Sequence, residues 1–146
     1  MLNDKEMQIL KLLRENARAT VTEIAHKTNL PRSTVYEKIK KFRQTGLINK
    51  YSCLVNFGQL GMPICAKILF KADGEDKTKL GEALEKSVNT NNVVKLGNEF
   101  DYLASFLFPS MEDLHKYVDE LTANYNLRDY RILYVTKELK NEGFLV

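Results

Sequence analysis

The sequence predicts an α+β chain, three short helices followed by a β-α-β-β-α-β unit, and three observations carry that prediction. Over the first fifty residues apolar side chains recur at helical spacing between recognisable cap residues. Beyond Pro63, short runs of β-forming residues alternate with helical stretches. The charge changes sign between the two parts: residues 1–50 hold 11 Lys and Arg against 5 Asp and Glu, a net +6, whereas the rest holds 11 against 14, a net −3. A basic first third joined to an acidic remainder suits a protein whose first part alone meets a polyanion.

Asn3 or Asp4 caps the first helix, in which Met7, Ile9, Leu10, Leu13 and Ala17 form an apolar stripe. Thr20-Val21-Thr22-Glu23 has capping-box spacing and opens a second helix with Val21, Ile24, Ala25 and Thr28 on one side. Asn29 stands where a left-handed residue turns the chain, Pro31 is the expected first residue of a third helix, and Gly46 its C-terminal stop. Helix, short turn, helix is the helix-turn-helix layout. Leu47–Val55 then reads as a strand, with Gly58–Pro63 as a linker or corner.

In the remainder, Pro63–Lys71 places Ile64, Ala66, Ile68 and Phe70 on one strand face. Glu75–Val88 reads as a helix through Leu80, Ala83, Leu84 and Val88, although Gly81 argues against it. Val93–Gly97 and Tyr102–Phe108 are strands around a turn at Asn98–Asp101; Ser110 caps a helix carrying Leu114, Tyr117, Val118 and Leu121; Tyr130–Lys137 is the last strand. The order is that of the ferredoxin-like fold, with both helices on one face of a four-stranded sheet. Tyr102–Phe108 is apolar almost throughout and reads as buried on both faces. Leu69, Leu103, Leu107 and Leu133 fall on the side without helices, a patch of the kind that marks an interface, so this domain is expected to oligomerise.

Composition and motifs exclude other classes. With 44% hydrophobic and 28% charged residues the chain is of globular type, no apolar run reaches the ~18 residues of a membrane span, the N-terminus is not a signal peptide, and two cysteines suit a reducing cytosol. Glu112 and His115 have Glu-x-x-His spacing, but a carboxylate-bridged metal site needs a second copy on a facing helix. Cys53 and Cys65 read as ordinary packed thiols, and no phosphate loop, nucleophile elbow or zinc motif is present. No catalytic residue, metal or cofactor is expected. An RNA-recognition module would need a cation and a glycine in its third strand, which Asp101–Phe108 lacks; a small ferredoxin-like enzyme would need an acid–base pair better than Asp101 beside Tyr102.

The third helix concentrates the basic charge. At 100° per residue Val35, Ile39 and Phe42 form its inner line, with Ser33, Glu37, Lys40 and Gln44 opposite and Thr34, Tyr36 and Lys41 flanking. Short polar residues at the tip and long cations further along suit a helix entering a major groove. The alternative is a solvated face on which Glu37 pairs with Lys41.

LNDKEMQILKLL, then VTEIAHKTNLPRSTVYEKIKKFRQTGLINKYSCLVNFGQLG, and the pairing of GNEFDYL with RILYVTKEL resemble the Lrp/AsnC (leucine-responsive, feast/famine) family along nearly the whole chain. The resemblance implies a (winged) helix-turn-helix over 1–48, a hinge strand and linker over 49–62, and a ferredoxin-like, ACT-like domain over 63–146. It implies a cytoplasmic transcription regulator that binds double-stranded DNA as a homodimer, assembled further into octamers or similar rings. An amino acid or other small effector and the transcription machinery are the further partners it implies, and no membrane. The alternative function is a small-molecule sensor whose ligand sets its assembly, with DNA secondary. DNA contacts carry over to Arg32, Ser33, Thr34, Tyr36, Glu37 and Lys40, with Lys41, Arg43, Thr20 and Thr22 against the backbone. The effector loop carries over to Asn98, Glu99 and Asp101, with Asn98 where family members commonly have glycine.

Overall fold

The computed structural model describes residues 1–144; positions 145–146 of the expected C-terminal domain lie outside them. The chain forms two compact units, Met1–Val55 with the tail from Lys140, and Asn56–Leu139.

The first unit holds α1 (Asp4–Glu15), α2 (Val21–Thr28) and α3 (Arg32–Gln44) and, among the described residues, no strand. Asn3 and Thr20 both complete capping boxes, with Glu6 and Glu23 respectively. Ile9, Leu13, Ile24, Ala25, Val35 and Phe42 are buried together, with Ile39 half-buried at the edge of the cluster. Ala17 is exposed because α1 ends at Glu15, two residues earlier. Leu47–Val55 has the composition of a strand, but no ladder partner is present among the described residues of the chain, so this stretch forms none.

The sequence assigns the tail to the C-terminal domain, yet from Lys140 it clusters with the first unit. The Arg14 guanidinium is the reason. Its Nε and Nη2 donate to the Phe144 carbonyl at 3.1 and 2.8 Å, its Nη2 also to the Glu142 carbonyl at 3.1 Å, and its Nη1 to Glu142 Oε2 at 3.0 Å.

The second unit opens on a 3₁₀ turn (Phe57–Leu60) and continues as β1 (Ile64–Ala72), α4 (Glu75–Lys86), β2 (Thr90–Lys95), β3 (Tyr102–Phe108), α5 (Met111–Asn124) and β4 (Leu127–Tyr134). The strands lie in the order β2-β3-β1-β4, every neighbouring pair antiparallel. Ala66, Ile68, Phe70, Ala72, Tyr102, Ala104, Phe106 and Phe108 pack with Leu80 and Leu84 of α4 and Leu114, Val118 and Leu121 of α5. Tyr102–Phe108 is therefore buried on one face only. Its alternate residues Leu103, Ser105 and Leu107 are half-exposed in the single chain, in register with Leu69, Lys67 and Cys65.

Three boundaries differ from expectation. Helix α4 stops at Lys86, leaving Val88 fully exposed. Strand β2 starts at Thr90 rather than Val93, because pairing with β3 through a bulge at Thr90/Asn92 overrides the poor β-propensity of Asn91 and Asn92. Strand β4 covers Leu127–Tyr134 rather than 130–137; its ladder opposite β1 ends as β1 itself begins, at the Val135 amide donating to Cys65. Among the described residues no helix is long and apolar enough to cross a membrane.

Gly81 sits inside α4 for a tertiary reason. Tyr102 Oη donates to the Lys77 carbonyl at 2.8 Å, and a Cβ on Gly81 would overlap the Tyr102 ring and hydroxyl. Helix propensity alone says that Gly81→Ala stabilises by about 0.5–1 kcal/mol. Overpacking against Tyr102 reverses the sign, and urea unfolding is expected to show a loss of about 1–3 kcal/mol; a gain in stability contradicts this packing.

Candidate nucleic-acid interface

The helix-turn-helix is held by α1. Lys5 Nζ donates to the Thr28 carbonyl and Gln8 Nε2 to the Lys27 carbonyl, so two α1 side chains satisfy the orphan C-terminal carbonyls of α2. Thr28 itself is fully buried, its hydroxyl donating to the Ile24 carbonyl at 2.7 Å. Asn29 turns the chain at φ 54° and ψ 47°, and the Leu30 amide closes on the Ala25 carbonyl. Pro31 is the N-cap of α3 and Arg32 its first residue, one position later than the sequence suggests. Proline offers no side-chain acceptor, so the N–H groups of the first turn have no side-chain cap and are open to an anion. At the far end Gly46 takes φ 76°, and the Ile48 amide donates back to the Phe42 carbonyl at 3.0 Å.

Burial of Val35 and Phe42 aims the opposite side of α3 at solvent. Arg32, Ser33, Tyr36, Glu37, Lys40, Lys41 and Arg43 are exposed and Thr34 is half-exposed, so one surface carries all the α3 residues expected to meet DNA. The other lysine of this helix, Lys38, is withdrawn: its Nζ is 3.0 Å from Glu6 Oε1, with side chains only 24% and 14% exposed. The Asn3 amide, and then the Lys38 ammonium, hold the Glu6 carboxyl below its usual range. Arg43 lies with its guanidinium 5.2 Å from the centre of the Tyr51 ring. Among the described residues Arg32, Lys40 and Lys41 form no ion pair, and Glu37 forms neither an ion pair nor a side-chain hydrogen bond. The Glu37–Lys41 pair of the alternative reading is thus not made among the described residues. Ser33, Thr34, Glu37, Lys38, Lys41, Gln44 and Glu6 line one open groove of ≈ 600 Å³.

The two threonines of α2 differ. Thr20 accepts from the Glu23 amide at 3.2 Å and gives its own proton to Glu23 Oε2 at 3.0 Å, so its hydroxyl serves the cap. Thr22 is exposed and, among the described residues, makes no side-chain hydrogen bond. The residues that sequence reasoning did not single out are Lys5, Glu6 and Lys38. Only Lys38 carried a legible signal, since it follows Val35 by three residues and sits beside the inner line of α3.

In the second unit, Asp101 is taken up by the fold. Its Oδ1 is 2.8 Å from Lys77 Nζ, its Oδ2 accepts from the Ala72 amide at 2.9 Å, and the side chain is only 13% exposed. Burial pushes this carboxyl up, but the Lys77 ammonium and the Ala72 amide outweigh it and hold the group below its usual range. Glu99 is 3.8 Å from Arg131 Nη2, and the same guanidinium covers the ring of buried Phe100 at 5.3 Å. Asn98 is exposed. Elsewhere His115 Nε2 lies 2.9 Å from Tyr134 Oη, and among the described residues no group of three His, Cys, Asp or Glu side chains is placed to hold a metal.

Residues 2–49 match the family model described as winged helix-turn-helix DNA-binding. An HTH-type transcriptional regulator of Pyrococcus horikoshii is 31% identical over 141 residues, 92% of this chain and 91% of that protein. Another, of Pyrococcus furiosus, is 30% identical over 117 residues, 80% and 79% of the two chains. Among solved structures, a transcriptional regulator of Neisseria meningitidis in complex with L-Met superposes with TM-score 0.89 at 22% identity, covering 97% of this chain and 94% of that one. An AsnC family regulator of Agrobacterium tumefaciens superposes with TM-score 0.88 at 16% identity, covering 99% and 97%. These two likenesses are of fold.

The Asp101 contacts predict a pH dependence. A carboxyl held low in the folded state contributes stability above its unfolded pKa of about 3.9, and that contribution is lost as pH falls through the folded value. The difference in urea midpoint between the native chain and Asp101→Asn is therefore expected at pH 7 and should shrink below about pH 4. A difference constant from pH 7 to 2.5 contradicts the ion pair.

Proposed function

We propose that this chain, which belongs to the HTH-type transcriptional regulators, is a regulator of Lrp/AsnC type that reads operator DNA as a cytoplasmic homodimer, with α3 in the major groove. The observation that carries this reading is the outward face of α3. There Arg32, Lys40 and Lys41 are without ion-pair partners among the described residues, while Val35 and Phe42 hold the other side in the core. Lys40, Lys41 and Arg43 lie against phosphates, with Thr22 at the backbone from α2; Thr20 contributes through its cap. Arg32, Ser33, Thr34, Tyr36 and Glu37 face the bases.

The half-exposed sheet face at Leu69, Leu103 and Leu107, with Leu133 exposed beside it, supports pairing of two chains through the second unit, and further assembly of the dimers. Two recognition helices then enter major grooves about one turn apart, ~34 Å or a multiple.

Selection of bound sequences from a random duplex pool at about 0.1 M salt tests the reading; a pseudo-palindrome supports it and unspecific recovery opposes it. If about eight phosphates are neutralised per dimer, log K falls with log salt at a slope of about −7. Lys40→Ala or Lys41→Ala removes one contact per chain and is expected to flatten the slope by about two units per dimer. An unchanged slope in both variants removes these lysines from the interface.

A second reading, ligand control, is favoured by the L-Met held by the Neisseria protein of the same fold. With Asp101 occupied by Lys77 and Ala72, a ligand at this loop would meet Asn98 and Glu99. An amino acid present at about 100 times its Kd raises stability by about 2.7 kcal/mol. A thermal-shift series over the common amino acids, L-methionine included, therefore decides; no shift with any of them removes amino-acid control.

A further inference from the structure

Glu37 is the one acid of α3, and it stands on the side of the helix that faces away from the core. A carboxylate there is costly in the presence of a polyanion, since every phosphate repels it. The simple explanation for such a residue is a salt bridge within the helix, and Lys41, four residues on, is correctly spaced for one. The bridge is not made. Lys38, the adjacent cation, is held by Glu6 at 3.0 Å instead, and among the described residues Glu37 has no ionic or hydrogen-bonded partner. Glu37 lines the open groove with Ser33, Thr34, Lys41 and Gln44. It is the sixth residue of α3, about 7.5 Å along the axis from Arg32, within the N-terminal half of the helix that reaches base edges in this class of motif.

We propose that Glu37 is a specificity-determining residue that selects cytosine at one position of each half-site by accepting a hydrogen bond from its exocyclic amino group. This rests on the reading of α3 as the helix in the major groove. An ionised carboxylate only accepts hydrogen bonds. In the major groove guanine shows N7 and O6 and thymine shows O4 with a methyl group, so neither has a donor for it. Cytosine offers N4–H₂ with no acceptor of its own beside it. Adenine offers N6–H₂, but its adjacent N7 is an acceptor and repels the second carboxylate oxygen. Glu37 therefore favours cytosine and disfavours guanine and thymine, and its repulsion from phosphate lowers binding to sequences that lack the donor. Rejection of wrong sites is as much its role as recognition of the right one.

The test is parallel selection from a random duplex pool by the native chain, Glu37→Gln and Glu37→Ala at about 0.1 M salt, with competition binding at the position concerned. The native chain is expected to enrich cytosine at one symmetry-related position, preferring it over guanine or thymine by roughly 5- to 150-fold, the span of a good side-chain–base contact. Glu37→Ala loses the preference there and keeps the rest of the motif. Glu37→Gln moves it toward adenine, because an amide both accepts from N6 and donates to N7. If the native chain enriches a motif that both variants reproduce unchanged, Glu37 reads no base and the inference falls while α3 remains the reading helix. The same follows if the variants alter only a position where the native chain prefers an A·T pair, which has no cytosine on either strand. If the native chain enriches no motif at all, sequence reading by α3 fails, and this inference fails with it.

Discussion

Val35 and Phe42 lie seven residues apart on α3, two helical turns, and are buried against Ile9, Leu13 and Ile24 of the other two helices. Burying two such side chains is worth about 1.5–3 kcal/mol each, whereas a surface ion pair contributes about 0–1 kcal/mol. The core therefore fixes the rotation of α3 about its axis, and the charges go where that rotation leaves them. Lys38, beside the inner line, meets Glu6. Arg32, Lys40 and Lys41 are directed outward with no acid of the described residues in ion-pair range. An interface for a polyanion follows from packing on the opposite side of the helix.

The turn that delivers α3 depends on the same economy of short elements. A two-turn α2 has little helical stability of its own. Its start is closed by the Thr20–Glu23 box and its end by Asn29 in the left-handed region, and Lys5 and Gln8 reach over from α1 to its last carbonyls. Each of these groups contributes on the order of 1 kcal/mol or less, but together they leave no backbone alternative to the observed corner. The second unit obeys a different constraint. A four-stranded sheet with two helices on one face leaves the other face half-exposed, along Leu69, Leu103 and Leu107. One unit offers a charged helix and the other a partly apolar sheet.

Features that depend on local chemistry were legible in the sequence. Thr20 and Glu23 three apart, Asn29 before a proline, and Ser110 before an apolar stripe each identify a helix end by their own side chains. Most of the exposed α3 residues followed from helical spacing once Val35, Ile39 and Phe42 were recognised as the inner line. What stayed hidden depends on partners distant in the chain. Lys38 and Glu6 are 32 residues apart, and Gly81 is explained only by Tyr102. The limits of β2 and β4 belong to the strands beside them rather than to their own composition, and Tyr102–Phe108 reads as doubly buried although only one face meets the helices. The tail from Lys140 is placed by Arg14, 128 residues before Glu142, a contact no local pattern announces.

Backbone amide resonances of the full chain, followed while a duplex recovered by selection is titrated in, test most directly that α3 is the surface that reads DNA. The largest shifts are expected across 32–44 and at the start of α2 around Thr22, with Ile9, Ile24 and the helices α4 and α5 little affected. Shifts concentrated in the second unit, with residues 32–44 unmoved, would contradict it.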